Sequence, residues 1–157
     1  MELVLFIGLQ SSGKSSFYRL RFAQTHVLVS KDLWPHARRK EARQQRYIAE
    51  ALSVGHSVVV DNTNPSPEVR APLIALGHTH GARVVGYGFA SDLKQCLARN
   101  AQRVGRARVP EVALFATVKQ LRWPGRAEGF DSLYHVTLTA EGSFRVEEWK
   151  EESDGTG

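Results

Sequence analysis

The sequence predicts an α/β fold, a mainly parallel five-stranded sheet flanked by helices and topped by a helical lid. Three observations carry this. Short apolar runs of strand length alternate with helical stretches, and parallel strands need crossovers, for which helices are the usual solution. The first run, Leu3-Val-Leu-Phe-Ile7, passes directly into Gly8-Leu-Gln-Ser-Ser-Gly-Lys-Ser15, the spacing of a phosphate-binding loop set between strand and helix. Finally, the stretch from Arg99 to Arg126 holds six arginines and Lys119 against a single acid, Glu111, as a cationic lid would.

Taken in order, Leu3 to Ile7 is apolar throughout, the pattern of a strand covered by helices on both faces. A helix follows from Ser15 to about Phe22. His26-Val-Leu-Val-Ser30 is a second short strand and Arg39 to Val54 a helix. Ser57-Val-Val-Val-Asp61 is a third strand, entered at Gly55. Pro65 to His80 reads as a helix begun at a Ser-Pro pair and stopped by Gly81. Arg83 to Phe89 is a fourth strand, and Asp92 to Arg103 and Pro110 to Leu121 complete the helices. Leu133 to Leu138 is a fifth strand, with Ser143 to Trp149 as its hairpin partner across Glu141-Gly142. Residues 1–150 are thus expected to form one domain with its lid at about 99–126, and the Glu-rich, Gly-ending residues 151–157 a disordered acidic tail.

Composition agrees with one core. A chain of 157 residues, 42% hydrophobic and 24% charged, suits one domain. No run approaches the ~18 apolar residues of a membrane span. Met1 to Ile7 is too short for a signal-peptide core and carries Glu2 where a basic start belongs. Cys96 is the only cysteine, which excludes intramolecular disulfides and cysteine-rich zinc sites. A cytoplasmic location with no membrane or disulfide partner is expected. The net charge of +5 conceals an asymmetry: residues from Glu141 onward hold six acids and two bases, so the remaining 140 residues carry 19 cations against 10 acids. Fourteen of those cations are arginine, whose planar fork of donors suits phosphate oxygens. That balance points to a polyanionic partner.

The chemistry resides in four segments. In Gly8 to Ser15 the glycines let the backbone form a nest of N–H donors, Lys14 reaches the β- and γ-phosphates, and the Ser15 hydroxyl binds Mg²⁺. The helix that starts there adds its dipole, and Gln10, Ser11, Ser12, Gly13 and Ser16 complete the candidate nucleotide surface. Phosphoryl transfer to a hydroxyl also needs a carboxylate to take the proton and cations on the moving group. Asp32 ends the second strand at the carboxyl edge, where open α/β sheets place ligands; it is the candidate base, a helix cap being its other reading. Asp61-Asn62-Thr63-Asn64 leave the third strand at the same edge. They are candidates for the acceptor or for ordering Mg²⁺, or else an Asx-turn. Arg99 and Arg103, four apart, are expected on one helix face, where like charges repel unless an anion lies between them. Arg38 and Arg39, with Lys40, Arg43 and Arg46, lie near Trp34 and Tyr47, either as a groove for backbone phosphates and a stacked base or as a solvated helix face.

Gly8-Leu-Gln-Ser-Ser-Gly-Lys-Ser-Ser16, Ser30-Lys-Asp32, Val58-Val-Val-Asp-Asn-Thr-Asn-Pro65, Arg99-Asn-Ala-Gln-Arg103 and Val109-Pro110 together resemble the kinase module of the polynucleotide 5′-hydroxyl kinase family. The resemblance runs from Leu3 to about Val136. It implies a P-loop kinase fold and transfer of the γ-phosphate of ATP to a 5′-OH end of DNA or RNA with Mg²⁺. By position it implies Lys14 and Ser15 for phosphates and metal, Asp32 as base, Thr63 near the acceptor, and Arg99 and Arg103 in the lid, Arg103 steadying the transferred group. Family members commonly carry an arginine three residues after the base, where this chain has Pro35; Arg38 or Arg39 is the expected substitute. No phosphatase module of the kind many relatives carry is expected within these 157 residues. Two other readings share the motifs: a small-molecule kinase acting on a nucleoside, sugar or antibiotic hydroxyl, and a non-catalytic module that binds NTP or nucleic acid.

Overall fold

The computed structural model describes residues 1–90 and 92–151, and of Arg106 its backbone alone. The expected tail therefore lies, apart from Glu151, outside the described residues. The strands are β1 Glu2–Ile7, β2 His26–Val29, β3 Ser57–Asp61, β4 Arg83–Ala90, β5 Ser132–Leu138 and β6 Phe144–Glu148. The α-helices are α1 Lys14–Arg21, α2 Lys40–Ser53, α3 Pro67–Thr79, α4 Leu93–Ala101 and α5 Glu111–Gln120. One sheet runs in the order β2-β3-β1-β4-β5-β6. Its first five strands are parallel. β6 returns antiparallel to β5, so the hairpin partner adds a sixth strand to the five parallel ones expected.

β1 lies at the centre and is buried on both faces, which is why its sequence shows no polar alternation. Leu3, Leu5 and Ile7 pack on Ile48 and Leu52 of α2 and Leu73 and Ile74 of α3. Val4 and Phe6 face Phe17 of α1, Phe22 and Phe89. The Phe6 ring lies 5.1 Å from Phe89 and 5.8 Å from both Phe17 and Phe22, in the tilted geometries aromatic pairs prefer. A third cluster, Leu9, Cys96 and Leu114, fixes α4 and α5 against the loop that follows β1.

Two helix ends depart from the sequence expectation. α3 begins at Pro67, because extended Ser66 accepts the Val69 N–H on its side chain at 3.3 Å and Pro67 takes the first helical position. α4 ends at Ala101. Buried Asn100 accepts the Val109 N–H at 2.9 Å and donates to the Val109 carbonyl at 2.7 Å, folding the intervening chain into a loop. Arg103 falls in that loop, so Arg99 and Arg103 do not share a helix face.

From β1 the chain crosses to β2 on one side, and later to β4 on the other. Such a reversal opens a crevice at the carboxyl ends of the strands. Residues 8–15, 30–34 and 61–65 all leave the sheet at that edge. Among the described residues no helix is long and apolar enough to cross a membrane.

Candidate active site

The loop after β1 is built for an anion. Ser11 and Gly13 have φ of 64° and 99°, left-handed conformations that successive N–H groups adopt when they converge on one point. Arg99 Nη1 donates to the Ser11 carbonyl at 2.9 Å, and Gln10 Nε2 donates to Thr117 Oγ1 of α5 at 3.0 Å. Both α4 and α5 therefore brace the loop directly. The hydroxyls of Ser11 and Ser12 are buried and have no hydrogen-bond partner among the described residues. Leaving such a group unpaired costs about 1–3 kcal/mol, and a phosphate oxygen would satisfy both.

Lys14 is buried at the loop's floor, its Nζ donating to the carbonyls of Gly8 at 2.7 Å and Leu9 at 3.2 Å. Burial lowers its pKa to about 8, against the opposing pull of the Asp61 and Asp32 charges. Deprotonation above that pH removes the cation an incoming polyphosphate meets. Calorimetric titration with ADP from roughly pH 7 to roughly pH 9.5 should show steady affinity up to about pH 8, then a loss of roughly tenfold per pH unit. A flat profile would exclude Lys14 as the anion's partner. The folded pKa lies below the unfolded 10.5, so the unfolded chain binds more protons between the two values. This group's contribution to stability therefore rises with pH across that window.

Ser15, the first residue after Lys14, is exposed, and its Oγ donates to Asp61 Oδ2 at 2.9 Å. Burial raises the Asp61 pKa, while Lys14 and the Ser15 hydrogen bond oppose the rise. Hydroxyl and carboxylate together offer the hard oxygen donors that suit Mg²⁺, which takes one or two protein ligands and completes its shell with water and phosphate. Ser16 lies half-buried one residue on, accepting from Arg19 Nη2 at 3.1 Å.

Asp32 sits in a 3₁₀ turn, Lys31–Leu33, capped by Ser30, whose Oγ accepts the Asp32 N–H at 3.2 Å. The capping role thus belongs to Ser30. The Asp32 carboxylate is exposed and makes no hydrogen bond or ion pair among the described residues. Its charge nevertheless acts on both Lys14 and Asp61, as does that of half-buried Arg103. Asp32 and Arg103 thus lie within electrostatic reach of Lys14 and Asp61.

The other candidates divide. Asn62 and Asn64 use their side chains inside the protein. Asn62 accepts the Lys31 N–H at 3.0 Å and donates to Gln44 Oε1 at 2.6 Å, while Asn64 donates to the Phe6 carbonyl at 2.7 Å. Asn62 thereby holds the Asp32 turn against α2. Thr63 meets the loop through its carbonyl, which accepts the Gly8 N–H at 3.1 Å. Arg38 and Arg39 stand exposed on the approach to α2. Sequence reasoning missed Gln44, although it shares the apolar face of α2 with Ile48 and Leu52, where a polar residue signals a buried partner. It also missed Thr117 and the Arg70–Glu128 pair.

Comparison with known proteins agrees with this fold. The bifunctional polynucleotide phosphatase/kinase of Schizosaccharomyces pombe is 26% identical over 139 residues, covering 86% of this chain. The chain spans 33% of that relative's length. Kti12 of Chaetomium thermophilum, solved in complex with ADP-AlF3, superposes with a TM-score of 0.66 at 16% identity, over 86% of this chain and 88% of its own. A gluconokinase from Sinorhizobium meliloti 1021 gives a TM-score of 0.60 at 19% identity, over 87% of this chain and 82% of its own. These structures share the P-loop kinase fold. Residues 3–123 match the AAA domain family, and the chain belongs to that family.

Proposed function

We propose that residues 1–150 form one kinase domain, its lid at about 99–126, that transfers the γ-phosphate of ATP to the 5′-OH of a polynucleotide. What supports this reading is that buried Lys14 and the Ser15-bonded Asp61 lie within electrostatic reach of unpartnered Asp32 and of Arg103, with exposed arginines on the approach to α2. The polynucleotide phosphatase/kinase relative supports the choice of acceptor.

In this reading the loop N–H groups, the Ser11 and Ser12 hydroxyls and Lys14 hold the β- and γ-phosphates. Asp32 accepts the proton of the acceptor hydroxyl while that oxygen forms its bond to the γ-phosphorus. The bond from the γ-phosphorus to the bridging oxygen breaks, and its electrons leave with ADP. Arg103 and Arg99 balance charge on the transferring group. Ser15, with Asp61 beside it, would hold Mg²⁺, which supplies charge neutralisation on the phosphates when bound. Arg38, Arg39 and Thr63 flank the acceptor side.

The test is a panel of radiolabelled ATP with 5′-OH DNA and RNA oligomers beside nucleosides and sugars. Label on the oligomers is expected, with apparent affinity falling as salt rises by about 0.7 log units per log unit of salt for each phosphate contacted. Label confined to the small acceptors, indifferent to salt, would move the reading to a small-molecule kinase. Label on none would leave a binding module.

A further inference from the structure

Beside the Asp32 turn, Trp34 and three side chains of α2, Arg43, Arg46 and Tyr47, form one column. Trp34, two residues beyond Asp32, packs its ring partly into the core beneath α2. The Tyr47 ring stacks on it with centroids 5.0 Å apart and planes 26° from parallel. Two cations lie over the rings, Arg43 Cζ 5.7 Å from the Trp34 ring centroid and Arg46 Cζ 5.8 Å from that of Tyr47. We infer that this Arg43–Trp34–Tyr47–Arg46 column is the track for the acceptor strand's phosphodiesters beyond its first nucleotide.

Three features support the track, which rests on the polynucleotide reading above. The first is charge. Residues 38–46 contain five cations and one acid, Glu41, and Glu41 is engaged by Lys31. Arg46 keeps a distant, exposed partner in Glu50, at 4.0 Å. Lys40, Arg43 and Arg46 follow one another three apart within α2, on neighbouring positions where like charges repel unless an anion lies between them. The second is presentation. A guanidinium lying over an aromatic face leaves its edge donors free for phosphate, and the rigid ring pair sets where those donors stand. The third is direction. Tyr47 lies seven residues into α2 from Lys40, about 10 Å along the helix, so the cluster runs on past the helix start where the chain arrives from the Asp32 turn. A small acceptor seated at Asp32 does not extend that far, whereas a polymer leaving the site does.

The experiment compares wild type with R43Q/R46Q in two assays. The first is fluorescence anisotropy of a labelled 5′-OH oligonucleotide without ATP, over a salt series. The second is the ratio of kcat/KM for that oligonucleotide to kcat/KM for a nucleoside 3′-monophosphate. Binding should weaken about tenfold, and the salt slope should become shallower by about 1.4 for the two lost contacts. The kinetic preference for the oligonucleotide should fall by the same factor. Unchanged binding and slope would overturn the track, as would an equal loss on the monophosphate, which marks general damage. W34L, which removes the stack and keeps both cations, should give an intermediate loss; no loss would dismiss the rings' part. Anisotropy needs no turnover, so a wild type that binds the oligonucleotide but phosphorylates nothing overturns the kinase reading while still testing the track.

Discussion

Asp32→Ala should lower phosphoryl transfer by about 10² to 10⁴-fold, the usual share of a positioned general base, while leaving ADP affinity and thermal stability near wild type. The separation follows from what the carboxylate does not touch. It accepts no hydrogen bond and makes no ion pair among the described residues, and the turn beneath it is held by Ser30 and Asn62 through backbone N–H groups that an alanine retains. No buried partner is orphaned, so the stability cost stays within the surface range of about 0.5 kcal/mol. Asp32→Asn preserves shape and removes the basic oxygen, and should be nearly as slow. Transfer that survives both substitutions would assign the proton to another group and return Asp32 to the status of a surface residue. Loss of ADP binding along with activity would instead mean that the turn supports the nucleotide site.

The fold was legible because its strongest signals are local. The central strands β1 and β3 are runs of apolar residues, since burial on both faces leaves no room for alternation, and Ser66-Pro67 and Gly81 mark where α3 starts and stops. The loop from Gly8 to Ser15 was legible for a related reason: its chemistry needs consecutive residues. What escaped depends on pairs far apart in sequence. Spacing alone put Arg99 and Arg103 on one helix face, but Asn100 reaches forward nine residues to Val109 and ends the helix between them. Asn62 and Asn64 looked like ligands because polar side chains at a strand end usually are. In the structure their side chains hydrogen-bond the Lys31 N–H and the Phe6 carbonyl, which ties the Asp32 turn and the end of β1 to the third strand's exit. Gln44 and Arg70 share one unread signal, a polar residue on an otherwise apolar helix stripe, flanked in α3 by Leu73, Ile74 and Gly77.

Arg70→Ala should be the most destabilising single change, about 3–5 kcal/mol, the range for stripping one partner from a buried ion pair. Arg70 is fully buried. Its Nε and Nη2 donate to the two Glu128 oxygens at 2.8 and 3.1 Å, and its Nη1 donates to the Asn64 carbonyl at 2.8 Å. Alanine would leave the Glu128 carboxylate with the Gly125 N–H alone, strand the Asn64 carbonyl, and open a cavity under α3. Urea denaturation should show the midpoint falling with little change in slope, and the melting temperature should drop by roughly 10 °C for a domain this size. The damage should also reach the site. Asn64 is held at φ 44° next to the Asp61–Thr63 segment, and the Thr63 carbonyl receives the Gly8 N–H, so ADP binding should weaken even below the unfolding transition. Pairing R70M with E128L separates charge from packing. If desolvation had consumed most of the ion pair's attraction, the double variant regains most of the lost stability. If the Asn64 contact dominates, it stays close to Arg70→Ala. A loss below about 1 kcal/mol in Arg70→Ala itself would mean that the loop between α5 and β5 is held by the surrounding apolar contacts alone.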